Sequence, residues 1–446
     1  MIRSAKRWIA GSAEGLLMVS IIACVLEGAL RKWVFRESAG FPKYFCYFAK
    51  DLIFAAILLC RPRGVFNLEL KRVLLIGLPL VLVGATLGAV HELNLVGALL
   101  SLRSLVVLPL LAYLAIPRLA EVSIDKAAFL IGGLAVLNAL LGIAQNSAAP
   151  DAPINYYATS DLASATAFEE NVRAAGTFSY ITGYSNLATL GAWAGLSLLC
   201  IAQGRLRYII CGWGFYVAAL ICALVSISRG TVIMVLVMLG VLAISGRQAI
   251  GNLLKGIVAV GLLVAIGYAL SFNPVLVRLT DTVIARHTSS DDTVGGRTVG
   301  PFMEAGLAAE ISPLGLGFGT EQVGGVYAET GVMSMRRFES QFARLVIETG
   351  LVGLIGFFMM SAGTLYVVFQ VRRAISDEGL RRVFMLSAFL LAIFFFTNVV
   401  FNHFASFFAW MLVTITLASA SRIDHSQSAI APAHSVLRHS IASARA

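Results

Sequence analysis

The stretch LVGLIGFFMMSAGTLYVVFQ, residues 351–370, decides the fold of this chain. It carries no charged side chain, and about 20 apolar residues are what a helix needs to cross the hydrocarbon core of a bilayer. Across all 446 residues, 58% of the side chains are hydrophobic and 13% are charged, a balance far outside that of soluble domains. We therefore interpret residues 351–370 as one span of an all-α polytopic membrane protein.

Outward from this run, the chain holds eleven further apolar runs, and the length leaves no room for a separate soluble domain. Residues 1–420 are therefore expected to form a single bundle of about twelve transmembrane helices. Residues 421–446 are rich in Ser, Ala and His and are expected to form a disordered cytoplasmic tail. The predicted spans lie near residues 12–30, 44–60, 73–90, 95–116, 127–145, 185–202, 207–227, 231–246, 254–271, 351–370, 383–400 and 403–420.

Lys and Arg residues predict the orientation of the bundle. They are concentrated before the first span, at Arg3, Lys6 and Arg7, and in the connections after alternate spans. Short cytoplasmic loops collect such residues, so both termini are predicted to be cytoplasmic. The net charge of +10 is explained by these loops meeting anionic lipid, and no nucleic acid is expected as a partner. Two long connections, about residues 146–184 and 272–350, are then placed on the outer side.

The longer outer connection is rich in arginine. It is too polar to span a membrane, and a membrane protein can place such a segment only outside the hydrocarbon, in contact with water or lipid head groups. Arginine favours phosphate because its planar fork donates two parallel hydrogen bonds to an oxyanion and stays charged. The arginines in question are Arg278, Arg286, Arg297, Arg336, Arg337 and Arg344.

Local patterns predict short elements within this connection. Asn273-Pro274 indicates the start of an interfacial helix, and a second short helix is expected from Pro301 to Glu310. The run from Ser312 to Gly319 is typical of a turn-rich loop that uses the backbone freedom of glycine. Residues 338–347 are predicted to form a helix that leads into the span at 351–370.

Several separated motifs resemble the bacterial O-antigen polymerase and O-antigen ligase family. They are Ser228-Arg229-Gly230, Gly296-Arg297, PLGLGFG at 313–319 and ETGLVG at 348–353, and the segment RAAGTF at 173–178 is similar to another stretch of that family. The resemblance covers roughly residues 170–360 by motif and the whole chain by span count. It implies a long periplasmic loop between the ninth and tenth spans.

This resemblance implies glycosyl transfer at the periplasmic face of the inner membrane. The donor is a glycan on undecaprenyl diphosphate, and the acceptor is the next lipid-linked repeat for a polymerase or a lipid A core sugar for a ligase. Membrane lipids, a chain-length regulator and a flippase are further partners to consider, whereas no nucleotide sugar, cofactor or metal is expected. Negative charge grows on the lipid diphosphate as the glycosidic bond breaks, and nearby cations stabilise that transition state.

The motifs assign roles to individual residues by resemblance. Arg229 and Arg297 are expected to bind the donor diphosphate, with Arg173 and Arg344 assisting. Arg344 has an alternative role, because it lies four residues before Glu348 and could form a helical ion pair with it.

One departure from the family pattern concerns the general base. Ligases carry a His-Asn pair about nine residues before the glutamate of the 348–353 motif, and that His is usually given the acceptor-activating role. This chain has Glu339 at that place, which favours a polymerase, including one for an exopolysaccharide, over a ligase. A carboxylate can serve as general base, so Glu339 is the first candidate. The fallback bases are Asp291, Asp292, His287 and His403.

Charged residues inside predicted spans form a further group. Lys50-Asp51 lies in the second span and Arg103 in the fourth, where an unpaired charge costs at least ~2.5 kcal/mol. Glu27 and Arg31, four residues apart, are expected to pair. These charges either hold the bundle together as ion pairs, or Arg103, with Arg31 and Lys32, reaches the substrate diphosphate.

A transporter is the alternative from another functional class. Charges within spans, such as Lys50, Asp51 and Arg103, are what a carrier uses near the midplane of the membrane. Two features count against a carrier of polysaccharide or lipid-linked sugar. The span pattern shows no two-half repeat, and carriers seldom need an arginine-bearing outer loop of this length.

Overall fold

The fold is known from a computed structural model, which describes residues 2–35, 41–88, 95–119, 122–156, 167–168, 171–244, 294–320, 338, 340–397 and 399–420. Within these residues the chain is almost entirely helical, and its one β element is a two-residue antiparallel ribbon that pairs β1 (Ala167–Phe168) with β2 (Asn171–Val172). The helices are α1 (Ile2–Ala29), α2 (Phe41–Ala56), α3 (Leu68–Gly88), α4 (Leu95–Leu102), α5 (Leu108–Ala115), α6 (Ile124–Ser147), α7 (Ile181–Ile201), α8 (Leu206–Val225), α9 (Arg229–Ile244), α10 (Val294–Ile311), α11 (Gln341–Ala374), α12 (Glu378–Thr397) and α13 (His403–Ala420).

Shorter helical turns extend several of these helices. A π-helical turn, Leu30–Val34, continues α1, and a second one, Arg103–Val107, joins α4 to α5. The 3-10 turns Ile57–Leu59 and Ile116–Arg118 follow α2 and α5, and Pro153–Asn155 lies in the connection between α6 and α7.

Nine helical stretches of the described part of the chain are long and apolar enough to cross a membrane. They are Ala13–Val34, Leu68–Gly88, Val96–Arg118, Ile124–Ser147, Ile181–Ile201, Leu206–Val225, Gln341–Ala374, Glu378–Thr397 and His403–Ala420. The class predicted from the sequence, an all-α polytopic membrane protein, is therefore confirmed.

The predicted count of twelve spans is not confirmed. The prediction near 44–60 corresponds to α2, which has 16 residues, and the prediction near 231–246 corresponds to α9, a shorter apolar helix. The predicted span near 254–271 and the tail at 421–446 lie outside the described residues.

Contacts between helix ends show which ends of α1, α6, α7 and α13 lie together. At one end of the bundle, Arg31 at the end of α1 contacts Ser179 just before α7, and His403 at the start of α13 contacts Glu27 of α1. We call this the charged end. At the opposite end, Lys126 at the start of α6 pairs with Glu14 of α1. The residues after α1, the residues before α7 and the start of α13 therefore lie at the same end of the bundle.

Small residues allow α3 and α11 to pack closely. A Cβ atom added at Gly84 would lie 2.2 Å from the Thr349 carbonyl oxygen, and one at Gly356 would lie 2.7 Å from Leu80 Cβ. Small residues are the usual means by which membrane helices bring their backbones together. Within α11 the helix is interrupted at Gly350, which has a φ of 65°. The start of α11, residues 341–349, is thereby set apart from the rest of the helix.

The predicted turn-rich loop is confirmed and packs against this interruption. Gly315, Gly317 and Gly319 all have positive φ angles, which L side chains rarely adopt. The Leu316 amide donates to the Ile347 carbonyl oxygen at 2.6 Å, so the loop covers the end of the first part of α11. The short helix predicted at 301–310 is present as the longer α10, whereas the helix predicted at Asn273-Pro274 lies outside the described residues.

Candidate functional site: a buried charge cluster and the segments around it

A fully buried carboxylate organises the charged end. Glu27 of α1 accepts a hydrogen bond from Arg31 Nη1 at 3.2 Å, which confirms the predicted pair, and another from Lys50 Nζ of α2 at 2.6 Å. His403 Nε2 of α13 lies 3.3 Å from Glu27 Oε1. One carboxylate therefore joins three elements of the bundle.

A second buried carboxylate, Asp51, binds Arg103 in bidentate fashion. Arg103 donates through Nε to Asp51 Oδ2 and through Nη2 to Asp51 Oδ1, the latter at 2.8 Å. Its Nη2 also lies 3.5 Å from the His403 carbonyl oxygen. The Tyr47 ring lies near both carboxylate pairs, with its centroid 4.7 Å from Lys50 Nζ and 5.7 Å from the Arg103 guanidinium. The charged residues predicted to lie inside spans therefore form ion pairs within the bundle.

We call this group the buried charge cluster and define it as Glu27, Arg31, Lys50, Asp51, Arg103 and His403. Its three permanent cations exceed its two carboxylates by one charge. Arg103 Nη1 is buried and has no hydrogen-bond partner among the described residues. A donor of this kind, in a cluster with excess positive charge, is suited to an anionic ligand.

Buried polar side chains fix the segment 173–179, which precedes α7. Gln145 Oε1 accepts from the amide of Gly176 at 2.7 Å, and Asn138 Oδ1 accepts from the amide of Thr177 at 2.9 Å. Lys32 Nζ, fully buried, donates to the Gly176 carbonyl oxygen at 2.8 Å. This rigid segment packs so closely on α1 that a Cβ atom on Gly28 would lie 2.3 Å from the Ser179 nitrogen.

Arg173 links this segment to the turn that carries Arg229. Arg173 Nε donates to the Ser226 carbonyl oxygen at 3.2 Å, and the Ala174 amide donates to the Val225 carbonyl oxygen. Ile227, in the same turn, has a positive φ of 51°. Arg229 then begins α9, so the turn at residues 226–228 that leads into this helix lies beside Arg173.

Arg344 and Glu348 occupy the short first part of α11. The Arg344 guanidinium lies 3.8 Å from the centroid of the Phe401 ring, two residues before His403. Glu348 is fully buried and accepts from Ser101 Oγ at 2.7 Å. Because Ser101 precedes Arg103 by two residues, this part of α11 adjoins the buried charge cluster.

The start of α11 is tied to α10. Ser340 caps the helix by accepting from the amides of Phe342 and Ala343, and its own amide donates to Glu304 Oε2 at 2.8 Å. The helix that carries Arg297 is therefore anchored to the helix that carries Arg344. The Arg297 side chain lies outside the side chains that the structure describes.

The structure thus brings many of the predicted residues together at one end and leaves others undescribed. The residues that meet there are Arg31, Lys32, Arg103, Arg173, Arg229, Arg344 and His403. Glu339, His287, Asp291 and Asp292 lie outside the described residues.

Sequence reasoning missed three polar residues that build the site. Tyr47 lies between the cations, and Asn138 and Gln145 hold the segment 173–179. A weak sequence signal could have found two of them. Asn138 and Gln145 are polar residues within the apolar run at 127–145, and they lie two helical turns apart, on one face of the helix.

The class of protein is thus a multi-pass α-helical membrane protein with a cluster of buried charges at one end. Sequence comparison gives a particular relative. The chain is 27% identical over 203 residues to an O-antigen polymerase from Salmonella muenchen, a match that covers 45% of this chain and 48% of that protein. The chain therefore spans about half the length of the curated relative it matches. No family model matches the chain.

Proposed function

We propose that this protein polymerises oligosaccharide repeat units carried on undecaprenyl diphosphate into an O-antigen or an exopolysaccharide. The observation that carries the proposal is the meeting of arginines from separate elements at one end of a bundle that is similar to an O-antigen polymerase. Those arginines are Arg31, Arg103, Arg173, Arg229 and Arg344, which lie on the turn after α1, the turn after α4, the segment 173–179, α9 and α11 respectively.

The chemistry of the reaction explains why cations gather there. The bond between the donor glycan and the lipid diphosphate breaks, and the leaving diphosphate gains negative charge. Preorganised cations in a site of low dielectric stabilise such a developing charge far more than water does. Positioning and electrostatics then supply most of the rate acceleration, and the proposed reaction requires neither a nucleotide sugar nor a metal.

The distribution of cations supports an orientation for the reaction. The end opposite the charged end carries exposed basic residues such as Arg72 and Lys126, as cytoplasmic loops do. We therefore place the charged end at the periplasmic face of the inner membrane, with both termini in the cytoplasm. A lipid-linked glycan would reach this end laterally from the outer leaflet.

Each proposed site residue has a role in this scheme. Arg229 and Arg297 bind the donor diphosphate, and Arg173 and Arg344 assist from the neighbouring segments. Arg103, with Arg31 and Lys32, approaches the diphosphate from within the bundle. The buried Nη1 of Arg103, which has no hydrogen-bond partner in the part of the chain that the structure describes, supports this assignment. Glu339 is the general base that the sequence pattern favours. His403 is the alternative base that lies within the residues described by the structure.

The experiment that tests the function uses the purified full-length protein in liposomes with a defined lipid-linked repeat unit and a lipid A core acceptor. Longer lipid-linked chains are the expected product. Transfer of the glycan to the lipid A core would instead identify a ligase. Movement of the repeat across the bilayer without a new bond would identify a carrier, and either of these two results would contradict the proposal.

A further inference from the structure

His403 is held rigidly at the mouth of the buried charge cluster. It is the first residue of α13, and the preceding Asn402 caps that helix by accepting from the amides of Phe404 and Ala405 at 3.0 Å. Asn402 also donates to Thr182 Oγ1 at 2.9 Å, which ties the start of α13 to α7. The imidazole ring packs on the Tyr47 ring, with the centroids 4.2 Å apart.

The two nitrogens of this imidazole have different surroundings. Nε2 is buried and lies 3.3 Å from Glu27 Oε1, an ion-pair distance, although the two atoms do not form a hydrogen bond in the structure. Nδ1 has no hydrogen-bond partner among the described residues. The His403 side chain is 19% exposed, whereas the Glu27 side chain is fully buried. A carboxylate that orients an imidazole while the second nitrogen stays available is the arrangement of a general base.

The ring also lies beside cations that the proposed reaction needs. Arg103 Nη2 is 3.5 Å from the His403 carbonyl oxygen, and Arg31 and Lys50 share Glu27 with the imidazole. A base and the cations that stabilise the leaving group would therefore lie within one cluster.

We infer that His403, oriented by Glu27, is the catalytic base that activates the acceptor hydroxyl, in place of Glu339. The inference rests on the proposed polymerase function. His403 Nδ1 takes the proton of the acceptor hydroxyl as its oxygen forms a bond to the anomeric carbon of the donor. The bond from that carbon to the phosphate oxygen breaks, and the electron pair leaves on the undecaprenyl diphosphate. The proton later passes from the imidazole to solvent, and Glu27 acts as a positioning residue.

The test compares wild type and His403→Gln in the liposome assay with a defined lipid-linked repeat. We expect the rate of chain extension to fall at least ~100-fold, within the range that general base catalysis contributes. Binding of the lipid-linked repeat and the thermal unfolding midpoint in detergent should stay at the wild-type values. In His403→Gly, added imidazole should restore part of the lost rate, because a free base can occupy the space of the missing ring.

Matched variants separate this inference from its rivals. His434→Gln, in the tail at 421–446, is the control and should extend chains at the wild-type rate. A wild-type rate in His403→Gln, or a loss in His403→Gly that imidazole does not reverse, would overturn the inference. So would a ~100-fold loss in Glu339→Gln with none in His403→Gln. Failure of the proposed function looks different, because the wild type itself would then make no longer chains.

Discussion

Each end of the bundle contains an ion pair between a lysine and a glutamate, but the pair is buried at the charged end and exposed at the opposite end. At the charged end, Lys50 Nζ and Glu27 Oε2 are 2.6 Å apart, and both side chains are fully buried. At the opposite end, Lys126 Nζ and Glu14 Oε2 are 2.8 Å apart, with 63% and 21% of the side chains exposed. Burying an ion pair in a membrane protein is costly, whereas an exposed pair is almost neutral. The two pairs are therefore expected to differ in their contribution to stability, and the proposed function gives the buried ions a role beyond stability.

Arginines at the two ends show a related contrast. Arg118, at the opposite end, donates through its Nε to the Cys60 carbonyl oxygen at 3.0 Å and so satisfies a helix end. Arg173 uses its Nε in the same way on the Ser226 carbonyl oxygen, so part of its role is structural. Arg103 differs from both, because it is buried against a carboxylate and keeps one donor nitrogen without a partner among the described residues.

The largest effect on stability is expected from Arg103→Ala. The change leaves Asp51 as a buried carboxylate without its bidentate partner, which costs about 3–5 kcal/mol of unfolding free energy. Equilibrium unfolding in mixed detergent micelles would measure this loss. The double variant Arg103→Met with Asp51→Leu removes both charges and should recover most of the stability but not polymerase activity. Full activity in a stable double variant would show that Arg103 has only a structural role.

A smaller loss is expected from Lys50→Met. Glu27 would lose its shortest hydrogen bond but keep Arg31 and the contact with His403. Loss of a hydrogen bond to a charged group costs about 1.5–3 kcal/mol, measurable by the same unfolding experiment. If Lys50→Met had the same unfolding free energy as the wild type, the buried pair between Lys50 and Glu27 would contribute no more to stability than an exposed pair.

The smallest effect is expected from Lys126→Met, the matched change at the opposite end. Its pair with Glu14 is largely exposed, so the unfolding free energy should change by about 0–1 kcal/mol. The informative quantity is the difference between Lys126→Met and Lys50→Met under identical conditions. Equal losses in the two variants would remove the distinction between the two ends.

Much of the fold could be predicted because the signal is repeated along the chain. Apolar runs of the required length identified the helices that the structure describes as long spans, including the run at 351–370. The number of membrane spans was harder to predict, because α2 carries Lys50 and Asp51 and ends after 16 residues. The interruption of α11 at Gly350 was also hidden, because a glycine in an apolar run does not show whether the backbone turns there.

The site was only partly predictable. The Glu27 and Arg31 pair follows from helical spacing and was found, whereas the Arg103 and Asp51 pair joins residues 52 positions apart. Pairing of that kind depends on which helices become neighbours, which no local pattern encodes. The same applies to His403, which looks like an isolated residue in the sequence but lies against Glu27 in the folded bundle.

The central claim is that the arginines of the charged end, together with Arg297 of α10, drive chain extension. Its most direct test is the length of lipid-linked glycan made in liposomes by wild type, Arg229→Ala and Arg297→Ala, with Arg72→Ala as the control. Arg72 lies at the opposite end, and its side chain is 70% exposed. We predict that Arg229→Ala and Arg297→Ala insert normally but lose long polymer, while Arg72→Ala retains it. Unchanged polymer length in both Arg229→Ala and Arg297→Ala would contradict the account.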